Sequence, residues 1–341
     1  MTMANGERTY RLQALTDLWT GSVTLEEKNG HIKEKTEPDR LITTGLLGSI
    51  RWWFEVLVRG LGGSACDPTD TKCEDRNHCV VCELFGCTGW ARKFRFEVLD
   101  KNGNIREARN NAETKISPQI KKDEEFSLRF TPLRPIRDEE WALLDATLRL
   151  IAEYGAIGGK TVFKPTDESS RAGKLHHKDY GLVQMVTSRQ FDGTSRGDLE
   201  TYLSKWRKFN HGEFAWASLQ HFWCVNKNKK HLAREDNNKS TFNQVPGRQE
   251  AKNQEQQLAT GTDGIARWIA DSQQECKKVF SFKNPARTFG FVKPGGTAAD
   301  TKKKFEEMKK RLDSAWGQYG WDFLTGDEII DQLFAGKEGR S

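Results

Sequence analysis

The stretch RDEEWALLDATLRLIAEYGAIGGKT, residues 137–161, joins a helix to a glycine-rich loop and decides the fold of the first half of the chain. Acidic residues stand in its first turn, where they favour the helix dipole. The apolar residues that recur at helical spacing are Trp141, Leu144, Leu148 and Ile151. They predict one buried helix face, and the glycines that follow predict where the helix ends.

The end of this stretch, YGAIGGKT (154–161), has the lysine and hydroxyl residue of a triphosphate-binding loop. Such a loop has the spacing G-x-x-x-x-G-K-[ST], with a strand before it and a helix after it. Tyr154 stands where the first glycine is required, and a helix precedes the loop. We therefore do not expect nucleotide hydrolysis, and the glycines need another explanation.

The regions around this stretch alternate apolar and polar residues and predict strands. These strands lie in residues 8–20, 91–99, 125–133 and 181–189. A helix begins at Thr43 or Thr44 and runs to Gly60. The order is strand, helix, strand, strand, helix, strand, which is the split βαβ of a ferredoxin-like or RRM-like domain. The polar segment 29–40 contains Gly30 and Pro38 and is expected to lack regular structure.

The rest of the chain predicts a second α+β domain that is more helical. We place the domains at residues 1–190 and 191–341. Residues 226–261 are polar and are expected to form a long mobile insertion. The further elements expected are helices at 198–209, 265–280 and 301–318 and a short strand within 285–296. No sequence repeat connects the two domains, although a degenerate second copy of the first fits their order.

The composition describes a polar globular protein with a mild basic excess. The chain has 341 residues, a net charge of +6 and 36% hydrophobic residues, and no apolar run approaches the length of a membrane span. The N-terminus lacks the features of a signal peptide, so we expect a cytoplasmic protein. Its 11 Trp and 19 Phe, beside many arginines, suit single-stranded RNA binding; the alternative is that these rings fill the cores.

The cysteines favour a metal site over disulfides, because seven is an odd number in a protein expected inside the cell. Cys79 and Cys82 have the close spacing of a zinc knuckle, and Cys66 and Cys73 are a wider second pair. These four predict a structural zinc site, the alternative being free thiols. Free or buried thiols are the expectation for the others, which are Cys87, Cys224 and Cys276.

The first helix and the glycine loop carry candidate phosphate contacts. Gly155, Gly158 and Gly159 allow close backbone approach, so their amides can face a phosphate, and the basic loop behind them suits an anion. The candidates in that loop are Lys160, Thr161 and Lys164. The alternative is a glycine stop for the helix and a solvated basic loop.

On the first helix, Arg51 and Arg59 are candidates for phosphate contact and Trp52 for base stacking. Against this, Glu55 lies four residues from both arginines and favours ion pairs on the helix.

Catalysis has little support in the sequence. The histidines at 31, 78, 176 and 177 lie in loops without an evident partner, and no pair of acidic residues stands out as a metal site. A metal-independent nuclease requires a poised general base. We therefore expect no enzyme activity, with His176 and His177 as the candidates if RNA is cleaved.

Three separated motifs together resemble the RAMP superfamily of CRISPR effector subunits. They are TGLLGSIRWWFEVLVRG (44–60), CVVCELFGCTGWARKF (79–94) and the glycine loop. The opening LTDLWTGS (15–22) and the helix LLGSIRWWF (46–54) look most like the first RAMP subunit of the type III-B, or Cmr, complex. The resemblance is strongest over about the first 190 residues.

The resemblance implies two tandem ferredoxin-like domains and a cytoplasmic, non-catalytic subunit of an antiviral ribonucleoprotein. It implies guide RNA and target RNA as partners, together with other Cmr subunits, among them a neighbouring RAMP subunit. No cofactor is required beyond the possible zinc. The alternative within the superfamily is an endoribonuclease that acts on CRISPR RNA. The family's glycine loop usually continues with arginines, whereas this chain has Lys160 and Lys164, which act as point charges.

Overall fold

The structure of the protein is a computed structural model, and the chain forms two compact units. The first unit combines residues 1–161, 180–211 and 331–341, and the second combines 162–179 and 212–330. The structure describes residues 6–20, 22–28, 31–37, 41–67, 73–106, 119–158, 166, 168–171, 175–191, 193–209, 214–228, 230–233, 240–245, 268–269 and 278–335.

The first unit contains a four-stranded antiparallel sheet, a separate hairpin and four helices among its described residues. Its elements in chain order are β1 (Arg8–Ala14), β2 (Ser22–Lys28), β3 (His31–Glu37), α1 (Thr43–Gly60), α2 (Val80–Phe85), β4 (Phe94–Leu99), β5 (Glu125–Pro132), α3 (Asp138–Tyr154), β6 (Val183–Met185) and α4 (Arg196–Ser204). The strand order is β4-β5-β1-β6. This is the connectivity of the split βαβ that the sequence predicts.

Alternation along the strands explains why this sheet forms. Tyr10, Leu12 and Ala14 of β1 are fully buried, whereas Arg11 between them is exposed. The register sets Tyr10 opposite Leu128 and Leu12 opposite Phe126, so apolar residues meet on one face. At the start of α3 the carboxylate of Glu140 accepts a hydrogen bond from the backbone amide of Arg137 at 2.9 Å, which satisfies an amide at the helix start.

The second unit has a four-stranded antiparallel sheet with the same strand order. Its elements are β7 (Phe222–Lys227), α5 (Thr241–Gln244), β8 (Val279–Lys283), β9 (Ala286–Phe291), α6 (Ala298–Trp316), β10 (Asp322–Thr325) and α7 (Gly326–Phe334), the last of which runs across the unit boundary. The order β10-β7-β9-β8 sets the fourth, first, third and second strands side by side, as in the first sheet. Its core includes Trp223, Leu312 and Val279. The protein is therefore α+β with two four-stranded antiparallel sheets.

Three sequence expectations differ from this architecture. Residues 31–37 lie in the segment expected to be irregular, yet β2 and β3 pair as a hairpin. Asn-Gly at positions 29–30 is the typical sequence of a hairpin turn, although its glycine also fits a break in regular structure. The loop that carries the cysteines (residues 62–89, the cysteine loop) also contains a helix, α2.

Part of the polar segment 226–261 belongs to the second core, because Leu232, Phe242 and Val245 are buried there. These few apolar residues are hidden among many polar ones, so composition alone suggests an insertion. Most of 246–277 lies outside the described residues, including Cys276 and most of the helix expected at 265–280. In the structure α4 belongs to the first unit, and the domain bounds 1–190 and 191–341 stay a prediction.

Candidate metal centre and glycine loop

Four cysteines lie together beside α1 in the first unit. The Sγ atoms of Cys66, Cys73, Cys79 and Cys82 all lie within 4.8 Å of one another, and all four side chains are buried. Cys79 caps α2 and Cys82 lies in its first turn, so the helix turn brings both sulfurs to one side. The two residues of the wider pair complete the group from the preceding loop.

The geometry fits a tetrahedral zinc ion. Zinc–thiolate bonds of about 2.3 Å set the sulfurs of a tetrahedral site about 3.8 Å apart. The Sγ atoms of Cys66 and Cys82 are 3.5 Å apart, and the backbone amide of Cys79 donates to Cys73 Sγ at 3.3 Å. Four sulfur donors and no carboxylate are the donor set of a structural zinc site.

The thiols of this group perturb one another's protonation. The pKa of Cys79 is lowered because the thiols of Cys66 and Cys82 donate hydrogen bonds to its thiolate. The pKa of Cys66 is raised chiefly because its proton is held by Cys79, and burial raises the pKa of Cys73. Zinc binds cysteines as thiolates, so a divalent metal in this group would release the thiol protons.

Arg51 of α1 supports the cysteine group from outside. Its guanidinium donates to Cys82 Sγ at 3.3 Å, to the carbonyl oxygen of Gly86 at 3.0 Å and to Glu55 Oε1 at 3.2 Å. Burial lowers the pKa of Arg51, whereas Cys82 and Glu55 together raise it by more than burial lowers it. A cation that contacts a ligand sulfur stabilises negative charge on that ligand.

Arg59 is 6% exposed, and its Nη2 lies 3.5 Å from Glu55 Oε2. Burial raises the pKa of Glu55, and the two arginines oppose that rise. The geometry therefore favours the ion-pair alternative for Arg51 and Arg59, and their contact with RNA stays a prediction. Trp52 is half-buried and packs edge-to-face on Trp53, with ring centroids 4.9 Å apart; its role in base stacking also stays a prediction.

A buried polar network continues from the cysteine loop to α3. His78 contacts Asp75 O through Nδ1 and Glu83 through Nε2, the latter at 2.6 Å. Lys93 lies between two carboxylates, with its Nζ 2.5 Å from Glu83 Oε1 and 2.8 Å from Glu140 Oε1. Such buried charges persist only when they are paired. The sequence gives one weak signal of this arrangement, which is His78 directly before Cys79.

The described part of the glycine loop packs against α1 and against Trp19, in the segment that follows β1. Gly155 lies against the ring of Trp53, where an added Cβ would come within 2.5 Å of the indole. Gly158 has φ +126° and lies against Trp19 O, which a Cβ would approach to 2.6 Å. Trp53 Nε1 donates to the carbonyl oxygen of Ala156 at 2.8 Å. These glycines are needed for close approach and for a left-handed backbone.

The amides of this segment are used within the protein. Gly155 N donates to the carbonyls of residues 150 and 151, and Gly158 N donates to Ser49 Oγ at 3.0 Å. Both amides thus have acceptors within the protein, and the contact of Gly155 and Gly158 with a phosphate stays a prediction. Gly159, Lys160, Thr161 and Lys164 lie outside the described residues, as do the side chains of His31 and His176, so their roles stay predictions.

The remaining sequence candidates occupy ordinary positions. Cys87 is a free, partly exposed thiol, and Cys224 is buried in the second unit, as expected. None of the helices that the structure describes is long and apolar enough to cross a membrane.

Comparison with known proteins finds a family model that matches part of the chain. The family model described as the RAMP superfamily matches residues 11–163, from β1 to the glycine loop. No curated protein matches the chain. The chain is similar to a solved "Type IV-B CRISPR Complex" structure, with 14% identity over 55% of this chain and 93% of that chain and a TM-score of 0.31. It is also similar to the apo crystal structure of Cmr1 from Pyrococcus furiosus, with 10% identity, 97% coverage of each chain and a TM-score of 0.35.

Proposed function

We propose that the chain is a RAMP-superfamily protein that serves as a non-catalytic RNA-binding subunit of a CRISPR ribonucleoprotein. The observation that carries the proposal is the family match over residues 11–163. The split βαβ sheet and the net charge of +6 support it. In this role the chain contacts the guide RNA and helps to capture target RNA.

Within CRISPR effectors, the motifs at 15–22 and 46–54 favour the place of the first RAMP subunit of a type III-B complex. Its partners in that place are guide RNA, target RNA and other Cmr subunits, including a neighbouring RAMP subunit. The chain's contribution is to bind and orient the RNA backbone. Lys160 and Lys164 supply positive charge for phosphates, and they follow Gly155 and Gly158 in the sequence.

The absence of catalysis is part of the proposal. His78, one of the histidines considered as a general base, has both ring nitrogens engaged, by Asp75 O and Glu83. A histidine held on both sides cannot accept a proton from a 2′-hydroxyl without breaking a contact. The alternative of an endoribonuclease rests on His176 and His177.

We further propose that zinc binds Cys66, Cys73, Cys79 and Cys82 as a structural ion. Support comes from their four buried sulfurs, which lie within 4.8 Å of one another, and from Arg51, which donates to Cys82 Sγ. When bound, zinc would hold the loop from residue 62 to residue 89 on α1 without taking part in any reaction.

The RNA-binding loop can be tested with Lys160→Ala/Lys164→Ala. Fluorescence anisotropy with a labelled single-stranded RNA of mixed sequence gives the affinity at several salt concentrations. We expect weaker binding, and a slope of log K against log salt reduced by about 1.4 if each lysine meets one phosphate. The matched control is Lys101→Ala/Lys122→Ala, which removes two exposed charges elsewhere. Equal effects of the two variants would count against the glycine loop as the site.

A further inference from the structure

An aromatic and arginine-rich face lies next to the cysteine loop, away from the glycine loop in sequence. Four side chains form a ladder. The guanidinium of Arg134 lies 4.2 Å from the ring centroid of Trp90. The ring centroid of His78 lies 4.7 Å from that of Trp90 and 6.1 Å from that of Trp206, and both pairs of rings are tilted.

Neighbouring contacts extend the ladder into a continuous face. Arg207 Nη1 donates to Asn77 O at 3.1 Å, and its guanidinium lies 4.5 Å from the ring of Phe209. Phe209 is fixed in turn by its backbone amide, which donates to Ser64 Oγ at 2.7 Å. The end of α4 and the cysteine loop are thereby joined in one surface, which we name the ladder face: residues 74–78, 90–92, 134 and 205–209.

The charge of the ladder face is strongly positive. Its basic side chains are Arg76, Arg92, Arg134, Lys205, Arg207 and Lys208, and its acidic ones are Glu74 and Asp75. Arg76, Lys205, Arg207 and Lys208 are exposed, and Trp90 and Trp206 are partly exposed. Protein interfaces are depleted of charge at their centre and rich in apolar area. Here cations alternate with rings, which is the pattern that single-stranded nucleic acids bind.

We propose that the ladder face is a second RNA-binding surface, which holds single-stranded RNA by phosphate contacts from its arginines and lysines and by stacking on the partly exposed rings of Trp90 and Trp206. The proposal rests on the proposed function, because it assumes that the chain binds RNA, and it adds a site distinct from the glycine loop. His78 and Trp90 flank Cys79 and Cys82 in the sequence, so the loop held by the four cysteines also sets the position of the ladder.

The test is anisotropy of the full chain with the same labelled single-stranded RNA, using Arg134→Ala/Arg207→Ala. We expect the affinity to fall about tenfold at low salt, with a slope of log K against log salt smaller by about 1.4. Trp206→Ala should lower the affinity about fivefold or more, as expected for one lost stacking contact. Lys101→Ala/Lys122→Ala again serves as the control.

A second variant guards against loss of folding. Lys205→Glu/Lys208→Glu reverses two exposed charges, and it should weaken RNA binding at an unchanged melting temperature. If both double variants bind RNA like the control, the ladder face is not an RNA site. If they bind RNA normally but lose a co-purifying subunit, the face binds protein, and the proposal is again overturned.

The outcomes separate the two sites. Weaker binding by Lys160→Ala/Lys164→Ala alone would leave the proposed function intact and overturn the ladder face. Weaker binding by the ladder variants alone would support this surface and remove the glycine loop. If the wild-type chain binds no single-stranded RNA, both the proposed function and this inference fail.

Discussion

At the scale of single residues, the glycines of the loop after α3 have a packing role that their sequence pattern does not reveal. The clustering of these glycines correctly predicts a backbone segment with no room for side chains. Which neighbour requires the missing side chain depends on residues far away in the chain, such as Trp19 and Trp53. Sequence therefore identifies Gly155 and Gly158 as important, whereas the amide acceptors, including Ser49 Oγ, emerge only from the fold.

Gly158→Ala should destabilise the first unit. The residue has φ +126°, and a Cβ would approach Trp19 O to 2.6 Å, so the substitution adds strain of about 1–3 kcal/mol. Gly48→Ala is the matched control, because this exposed position of α1 has nothing within 4 Å and alanine favours a helix by about 0.5–1 kcal/mol. Thermal unfolding should show a lower Tm for the first and a higher Tm for the second. An unchanged Tm for Gly158→Ala would refute the packing role.

Arg51→Met tests whether this arginine serves the metal site or RNA. Loss of its bonds to Cys82 Sγ and Gly86 O should lower zinc affinity by about 10- to 100-fold and leave RNA affinity unchanged. Competition with a chromogenic chelator measures the first quantity and anisotropy the second. Arg95→Met, whose side chain is 57% exposed, is the control. The opposite result, weaker RNA binding with normal zinc retention, would restore the sequence-based assignment of Arg51.

At the scale of elements, periodicity predicts the helices and strands that have one clear apolar face. The strands β1, β4 and β5 and the helices α1, α3 and α6 lie where the pattern indicates. The elements that periodicity does not predict are those that are ordered by pairing or packing with another element. The hairpin β2–β3 gains its regularity by pairing, and α2 is a six-residue helix, too short to be stable by itself. Leu232 and Phe242 are buried in the core of the second unit, and no local sequence pattern predicts that burial.

The cysteine loop is the element whose order should depend on a ligand. Cys79→Ser/Cys82→Ser should abolish zinc retention, whereas the purified wild-type chain should contain about one equivalent of zinc. Cys87→Ser is the control, because Cys87 lies outside the four-sulfur group, and it should keep its metal. Elemental analysis of the untagged proteins gives the stoichiometry. Less than about half an equivalent in the wild type would argue against a structural site.

The loss of zinc should also loosen the loop. A chelator should increase proteolytic cleavage between residues 62 and 89, because four thiols held together without a metal leave the loop with little to organise it. The same treatment of Cys87→Ser should give the same increase as in the wild type. Equal protease resistance with and without chelator would mean that the loop is ordered by its buried contacts, such as those of Lys93 with Glu83 and Glu140.

At the scale of the whole molecule, the same strand order in both sheets suggests that the second unit is a divergent version of the first. The sequences of the two units show no repeat, because the buried faces of a sheet accept many different apolar residues of suitable volume. The sequence therefore predicts an α+β second domain from its composition. The connectivity of that domain became evident only from the pairing of β7 with β9 and β10.

The most direct test of the central claim is to incubate the purified full chain with labelled single-stranded RNA and to measure binding and RNA length together. We predict that the chain binds the RNA, that binding weakens as the salt concentration rises, and that the RNA stays intact over the incubation. Absence of binding at low salt would contradict the account. So would cleavage that Ala substitutions of His176 and His177 abolish, because the chain would then be a ribonuclease.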